Sequence, residues 1–233
     1  MKGRLSHSWQ ADFKQAKLIQ EELAKNVKIS KLTSTVKNIA GFDVSYLKSE
    51  DLLIGGMVVM NLPSLEVIAT RIQTSPISFP YVPGYLSFRE APVLLDLISK
   101  YRKKIDLFIF DGHGLAHPRG LGIAAHIGVL IDKPSLGCAK KKLVGAFNPP
   151  ALRRGATSDL IYQGKTIGKV VRTKTGIKPV FVSVGHRTDL QQGVEVILSC
   201  CRNYRLPEPL RQAHQLVTAW RKEYAESRIR KTN

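Results

Sequence analysis

The chain is poor in acidic residues, poor in cysteine and free of long hydrophobic runs. Eighteen Asp and Glu residues stand against thirty-six Lys and Arg, which gives a formal net charge of +18. Such an excess favours a polyanionic partner, with nucleic acid first and an acidic membrane surface second. A generally basic, solubilising surface is the alternative. Because acidic residues are scarce, each one inside an apolar strand becomes a candidate for a function.

The three cysteines argue against a protein stabilised by a metal site of cysteine ligands and against one stabilised by disulfides. Cys138 and the adjacent pair Cys200 and Cys201 match neither a metal-ligand spacing nor a disulfide framework, as expected in a reducing compartment. No run approaches membrane-spanning length, and residues 1–6 contain no hydrophobic signal region. We therefore expect a cytoplasmic protein that does not enter a membrane.

Two common phosphate-binding motifs are also missing. Gly112-His113-Gly114 lacks the third glycine of a dinucleotide fingerprint, and no glycine-rich turn follows the first predicted strand. No glycine-lysine phosphate loop occurs anywhere in the sequence. These absences argue against a Rossmann dehydrogenase and a P-loop nucleotidase.

The hydrophobic pattern predicts a single α/β domain over 1–233, with a frayed tail at 228–233. A hydrophobic share of 43% is ample for a packed core. Periodicity predicts helices at 9–27, 87–103, 121–131, about 189–203 and about 208–227. It predicts strands at 38–46, 53–60, 66–73, 106–110, 134–138, 165–172 and 179–184, with a loop at 148–158. A meander followed by α/β units indicates a mixed sheet flanked by helices.

Asp111 ends the apolar run Phe108-Ile109-Phe110, and a loop of Gly, His and Arg follows. The crevice beyond the carboxyl end of such a strand is where ligands bind in open α/β sheets. His117 and Arg119 then provide a proton-transfer group and a phosphate-binding fork. The alternative is a strand-capping Asp followed by an ordinary turn.

Two further carboxylates are candidates for the same site. Alternation along the first strand places Gly41, Asp43 and Ser45 on one face, and a mid-strand carboxylate is costly to desolvate unless it is paired or bound to metal. Glu90 is predicted at a helix start, where the helix dipole favours an anion. Separately, these residues suggest a salt bridge and a first-turn acid. Together, Asp43, Glu90 and Asp111 suit Mg²⁺ or Mn²⁺, which prefer oxygen ligands.

Five ordered segments make the chain resemble a known family. They are GFDVSY at 41–46, PYVPG at 80–84, FRE at 88–90, DGHGLAHPR at 111–119 and GCAK at 137–140. In this order they resemble endonuclease V, the deoxyinosine 3′-endonuclease family, over nearly the whole chain. Val82 stands where isoleucine is common in that family. The resemblance implies a ribonuclease H-like fold, which agrees with the predicted strand order.

The resemblance also implies a set of catalytic residues: Asp43, Glu90, Asp111, His117, Lys140 and His214. Asp43 and Asp111 would ligate Mg²⁺, with Mn²⁺ as a substitute, and Glu90 would complete the acidic cluster. His117 would lie beside the metal, and Lys140 would direct its charge at the scissile phosphate or the attacking water. Without the resemblance, His117 is better explained as a satisfied structural histidine and Lys140 as part of a solvated face. His126 is interpreted as a packing residue.

For the substrate base, the resemblance implies a wedge and a pocket. Tyr81, stiffened by Pro80, Val82 and Pro83, would enter the base stack, whereas a Tyr packed under a proline-rich loop is the alternative. The extruded base would enter a pocket that backbone groups can read. The predicted pocket residues are Gly84, Tyr85, Leu86 and Gly112.

The implied activity is metal-dependent hydrolysis of DNA that contains deoxyinosine. The cut would fall at the second phosphodiester bond 3′ to the lesion, leaving 3′-hydroxyl and 5′-phosphate ends, and we expect a monomer. Alternatives are an inosine-specific endoribonuclease, another ribonuclease H-like nuclease such as a junction resolvase, and a non-catalytic nucleic-acid-binding module.

Overall fold

The computed structural model describes residues 6–33 and 35–232. Two predictions fall partly outside the described residues. The N-terminal segment, predicted to contain no signal region, includes residues 1–5, and the predicted frayed tail includes Asn233.

A mixed eight-stranded sheet forms the centre of the molecule. Its strands are β1 Asn38–Leu47, β2 Leu52–Asn61, β3 Val67–Pro76, β4 Leu107–Phe110, β5 Ser135–Ala139, β6 Thr157–Tyr162, β7 Lys165–Val171 and β8 Val180–His186. They lie in the order β3-β2-β1-β4-β5-β8-β7-β6. The pairs β1/β4 and β4/β5 are parallel, and the other neighbours are antiparallel. The predicted combination of an antiparallel meander with parallel strands is confirmed.

Helices cover both faces of this sheet. They are α1 Phe13–Ala24, α2 Leu86–Tyr101, α3 Ile123–Ile131, α4 Leu190–Ser199 and α5 Glu208–Thr232. One buried cluster joins Phe42, Phe108 and Phe110 to residues of α2 and α3. Another joins Ile39 and Ile109, on the opposite face, to residues of α4 and α5. Successive side chains of β1 and β4 therefore pack into two separate cores, one on each face of the sheet, because side chains alternate between the faces of a strand.

Two glycines let α5 lie directly on the sheet. A Cβ at Gly41 would stand 2.3 Å from the backbone carbon of Pro209, and one at Gly56 would stand 2.5 Å from Val217 Cγ1. Real Cβ atoms essentially never approach other atoms so closely. Any larger residue would push the helix outward, so these glycines set its distance from the Asp43 face.

One strand was missed in the sequence. β6 begins inside the segment 148–158 that was predicted to be loop, and it pairs with β7 through the two-residue turn Gln163-Gly164. Both turn residues have positive φ, 49° and 72°, as a tight hairpin requires. β6 lies at a sheet edge and buries only Leu160 fully, so hydrophobic alternation did not reveal it.

Several helix boundaries differ from the prediction, including the end of α1, at Ala24 rather than residue 27, and the end of α4, at Ser199 rather than about residue 203. α1 begins at Phe13 rather than residue 9, because the Asp12 carboxylate accepts a hydrogen bond from Gln15 N (2.7 Å) and caps the first turn. Trp9 lies before the helix and packs edge-on against Phe88. At the other end, α5 continues past the predicted residue 227 to Thr232.

The cysteines and the helices bear on the expected compartment of the protein. All three cysteines are free and buried. Among the described residues, no helix has the length and apolar character needed to cross a bilayer.

Candidate active site

Three adjacent parallel strands bring Asp43, Asp111 and Lys140 to one edge of the sheet. Phe42 of β1 pairs with Phe110 of β4, and Phe110 pairs with Gly137 of β5. Asp43 follows Phe42, Asp111 follows β4, and Lys140 follows β5. Rigid neighbouring strands thus hold these side chains together at the carboxyl ends of β4 and β5, where ligands bind in sheets of this type.

Asp43 is paired with His214 of α5. His214 Nδ1 lies 2.8 Å from Asp43 Oδ2, and the histidine side chain is 58% exposed whereas the aspartate is largely buried. Burial is the main cause that raises the pKa of Asp43, and the charge of Asp111 adds to it, while the His214 hydrogen bond acts in the opposite direction. The close approach of α5 over Gly41 and Gly56 is what places His214 on this carboxylate.

Asp111 is paired with Lys140. The Lys140 ammonium donates to Asp111 Oδ2 in a short ion pair, and both groups are partly exposed. Lys140 therefore lies at the carboxylates rather than on a solvated face. The interpretation of Asp111 as a simple strand cap does not account for this pairing.

Glu90 completes the group, here called the carboxylate cluster and defined as Asp43, Glu90 and Asp111. It lies in the second turn of α2, not at the predicted helix start, so the helix dipole does not explain it. Burial, together with the charges of Asp43 and Asp111, raises the pKa of Glu90 to about 8. Glu90 makes no hydrogen bond or ion pair with the other described residues.

The donor chemistry of the carboxylate cluster suits a hard cation. Like charges that raise one another's pKa are relieved by a bound cation, and carboxylate oxygens are preferred ligands of Mg²⁺. Across residues 6–33 and 35–232, however, no three His, Cys, Asp or Glu side chains are already arranged to hold a metal. Instead, Lys140 and His214 supply positive or hydrogen-bonding partners to Asp111 and Asp43.

The proline-rich loop, residues 79–85, projects beside the cluster. Phe79 is buried at its start, whereas the Tyr81 side chain is 70% exposed. Pro80 and Pro83 are exposed as well, and Val82 is half-buried. Tyr81 is therefore not packed under the loop, and the core alternative for this residue is wrong.

The end of this loop is fixed by an arrangement we call the Gly84 anchor, which consists of the Gly84 carbonyl and the side chains of Gln20, His117 and Arg119. The carbonyl accepts hydrogen bonds from Arg119 Nη2 (2.7 Å), His117 Nε2 (2.9 Å) and Gln20 Nε2 (3.1 Å). Gly84 has φ +82°, which favours glycine. Three donors on one carbonyl hold the loop end in a single position.

The anchor changes the interpretation of His117 and Arg119. His117 Nε2 donates to Gly84, and its Nδ1 accepts from the Arg119 amide at 3.2 Å, so both ring nitrogens are engaged. Burial lowers the pKa of His117 to about 4. Arg119 bonds Gly84 and Gln20 and stacks over Tyr85, so the predicted phosphate-binding fork is already occupied within the protein.

A cavity of about 300 Å³ opens between the proline-rich loop and the carboxyl ends of the strands. Of the four predicted pocket residues, Gly84, Leu86 and Gly112 line it. Tyr85 does not, because its ring packs against Phe13 and under Arg119. Tyr81 and Asp111 lie on the wall of this same cavity, which joins the exposed aromatic ring to the carboxylate cluster.

Sequence reasoning missed several residues of this region. Gln20 of α1 supports the loop from a distance of 64 positions along the chain, and nothing in the local pattern indicates it. Ser87, His113, Leu121, Gly122, Ile123, Lys141, Lys142 and Leu143 also line the cavity. Their nearness to the recognised motifs was the only available signal.

Comparisons with known proteins show the family of this chain. The family model for endonuclease V matches residues 21–215. Endonuclease V from Roseiflexus castenholzii is 44% identical over 221 residues, covering 95% of this chain and 99% of the relative.

Solved structures show the same architecture. The crystal structure of endonuclease V from Streptomyces avermitilis has a TM-score of 0.86 at 34% identity, covering 97% of this chain and 100% of that one. Endonuclease V from Ciona intestinalis, solved with a 24mer DNA containing an inosine followed by a ribo-adenosine, has a TM-score of 0.79 at 27% identity, covering 89% and 97%. The predicted ribonuclease H-like class is thereby confirmed, and the non-catalytic alternative is wrong: this chain belongs to the endonuclease V family of hydrolytic nucleases that act on nucleic acid.

Proposed function

We propose that this nuclease recognises deoxyinosine in DNA and hydrolyses the second phosphodiester bond on its 3′ side, leaving 3′-hydroxyl and 5′-phosphate ends. One observation carries the proposal: Tyr81 and Asp111 line the same cavity. A flipped base needs a pocket, the gap it leaves needs a filler, and the phosphate beside it needs a catalytic group. A cavity lined by both an exposed aromatic ring and a carboxylate supports this proposal.

The proposed cofactor is Mg²⁺, with Mn²⁺ as a substitute. Metal dependence is general among nucleases of this family. Asp43 and Asp111 would hold the ion, and Glu90 would contribute from α2. When bound, the cation supplies Lewis-acid stabilisation of the phosphate and lowers the pKa of a water.

Lys140, His214 and His117 have separate proposed roles around the carboxylate cluster. Lys140 is the counter-ion of Asp111. If Asp111 held the cation, the Lys140 ammonium would be available to the scissile phosphate. His214 keeps Asp43 oriented through Nδ1, and its exposed ring is accessible to substrate. His117 acts through the loop that it anchors, rather than as a group that meets the reacting atoms in this structure.

Tyr81 is proposed as the wedge, supported by its 70% exposure. The ring would compensate for the stacking lost when the base leaves the duplex, a cost of a few kcal/mol. The Gly84 anchor gives the loop a fixed base, so that insertion of the ring does not require the loop to order first.

Phosphate contacts are expected to dominate affinity. The net charge is +18, and the cavity wall itself carries Lys141 and Lys142. The logarithm of affinity should fall with the logarithm of salt concentration, by about 0.9 per neutralised phosphate on duplex DNA. We propose that a monomer is sufficient for this binding.

A nicking assay tests the function directly. Matched DNA and RNA duplexes with one inosine, and a DNA four-way junction, are incubated with the protein in Mg²⁺ or in EDTA. We expect a single cut in the inosine DNA strand, one bond beyond the nearest 3′ linkage, in Mg²⁺ alone. Preferential cutting of the RNA or of the junction would replace the proposal with the corresponding alternative.

A further inference from the structure

A chain of hydrogen bonds runs from the N-terminal segment to the cavity wall, and it is buried at the cavity end. His7 Nδ1 lies 2.8 Å from the Ser8 carbonyl oxygen, and His7 Nε2 lies 2.7 Å from His126 Nε2. His126 Nδ1 then lies 2.9 Å from Ser87 Oγ. His126 is fully buried and Ser87 is 2% exposed, and Ser87 lines the cavity. His126 therefore does more than the packing expected from the sequence.

The direction of every bond in this chain follows from its first member. A carbonyl oxygen only accepts, so His7 Nδ1 carries the hydrogen and His7 Nε2 is the acceptor of the neutral ring. His126 Nε2 must then donate to His7, which leaves His126 Nδ1 as an acceptor. The partner of that acceptor is the Ser87 hydroxyl, which must donate.

The assignment requires both imidazoles to be neutral, and their surroundings favour this. Burial lowers the pKa of His7 and lowers that of His126 well below its usual value. The two rings also pack among Trp9 and Phe88, which offer no counter-charge.

We propose that Ser87 is a specificity-determining residue of the base cavity, because its hydroxyl hydrogen is committed to His126 and only oxygen lone pairs remain for a bound base. The inference rests on the proposed function, since it assumes that the cavity receives a purine. Ser87 is then an acceptor and not a donor. It favours a base with a ring N–H and disfavours one with a lone pair at the same place.

Hypoxanthine meets this requirement through its N1–H. Adenine and unsubstituted purine have an unprotonated N1, so a lone pair would face the Ser87 oxygen. A buried polar group that is matched in one ligand and mismatched in another is a strong source of discrimination.

His126 and His7 act as positioning residues through Ser87. If His126 is replaced by Phe, the Ser87 hydroxyl becomes free to rotate and donate, so it can accommodate either kind of N1. Replacing His7 by Phe lets His126 adopt the other tautomer, which donates to Ser87 and releases the serine hydrogen toward the cavity. Both changes keep a planar ring at the position.

The test compares two duplexes that differ only in the target base, hypoxanthine or unsubstituted purine. Single-turnover incision in Mg²⁺ and equilibrium binding in EDTA are each measured for the wild type, Ser87→Ala, His126→Phe and His7→Phe. Trp9→Phe is the matched control, since Trp9 contacts the same two histidine rings without joining the hydrogen-bond chain. In each assay, the value measured for the hypoxanthine duplex is divided by the value for the purine duplex, and this ratio is compared between variants.

We expect Ser87→Ala to lower this ratio about 10-fold, the value of one neutral hydrogen bond at the upper end of its usual range. His126→Phe and His7→Phe should also lower this ratio, mainly because incision and binding of the purine duplex improve. Trp9→Phe should leave the ratio unchanged. A merely structural role would alter both substrates equally and keep the ratio constant. If His126→Phe does not fold, His7→Phe and Ser87→Ala decide the matter.

The outcomes separate this inference from the proposed function. A wild type that cuts the inosine duplex, with a ratio unchanged in Ser87→Ala and His7→Phe, overturns the inference alone. A wild type that neither cuts nor prefers the inosine duplex overturns the proposed function and the inference with it.

Discussion

The carboxylate cluster and the Gly84 anchor are neighbours around one cavity, yet their polar groups are balanced in opposite ways. In the cluster, three acids share two partners, Lys140 and His214, and Glu90 pairs with neither. In the anchor, one carbonyl receives three donors. Burial raises the pKa of Glu90 to about 8, and the charges of Asp43 and Asp111 act in the same direction. Burial lowers the pKa of His117 to about 4, and its hydrogen bond to Gly84 opposes that change.

The difference shows which region is built for a ligand. An incompletely paired, partly buried group of like charges costs free energy in the folded protein, and a bound cation removes that cost. A fully paired carbonyl gains nothing from a ligand and serves to hold backbone in place. Changes in the cluster should therefore abolish activity at little cost in stability, and changes in the anchor should do the reverse.

The largest expected effect is that of Asp43→Asn on incision. The change removes a proposed metal ligand with almost no change in shape, so the incision rate should fall at least about 1000-fold, or about 4 kcal/mol of transition-state stabilisation. Stability should be unchanged or increased, because a like charge has left the cluster. Incision and urea unfolding are measured together, and a near-normal incision rate would remove Asp43 from the metal site.

An intermediate effect is expected for Tyr81→Ala. Base stacking on an aromatic ring contributes roughly 1–3 kcal/mol, so binding to duplex inosine DNA should weaken about 5- to 150-fold. Single-stranded inosine DNA should be less affected, because less stacking must be broken, and the melting temperature should not change for a side chain that is 70% exposed. Equal losses on both substrates would show that the ring is not a wedge.

A smaller effect, on stability, is expected for His117→Phe. The change deletes one donor of the Gly84 anchor and leaves Arg119 and Gln20 in place, so the free energy of unfolding should fall by about 1–3 kcal/mol. Incision at saturating enzyme should fall less than for Asp43→Asn. The opposite pattern, full stability with incision abolished, would support the role beside the metal that the family resemblance implies for His117.

Residues on regular strands were the most predictable part of the site. Asp111 was identified because it ends an apolar strand, and Asp43 because a carboxylate within a strand is costly to desolvate; the parallel pairing of β1 with β4 then brings them together. His214 and Lys140 were placed by family resemblance, and the structure locates them beside the two acids.

What could not be predicted depends on contacts between distant segments. The Gly84 anchor joins residues 20, 84, 117 and 119, and the chain from His7 to Ser87 joins three separate elements. Neither leaves a periodic signal. β6 was not predicted, for a different reason. It lies at a sheet edge and fully buries only one side chain, so its sequence shows no hydrophobic alternation.

The central claim is that the carboxylate cluster is completed by a cation, and stability measured against pH tests it without requiring catalysis. The pKa of Glu90 is about 8 in the folded protein, against 4.5 as its ordinary value. Between these values the folded protein binds more protons than the unfolded chain, so stability in EDTA should fall as pH rises from about 4.5 to about 8. Glu90→Gln should reduce that fall.

The decisive measurement is urea unfolding at about pH 6 and about pH 9 in EDTA and in increasing Mg²⁺, for the wild type and for Asp43→Asn. We predict that Mg²⁺ stabilises the wild type most at the higher pH, with a gain that grows with concentration as binding to the folded state requires. Asp43→Asn should gain much less. Equal gains for both proteins, or no gain for either, would contradict the account.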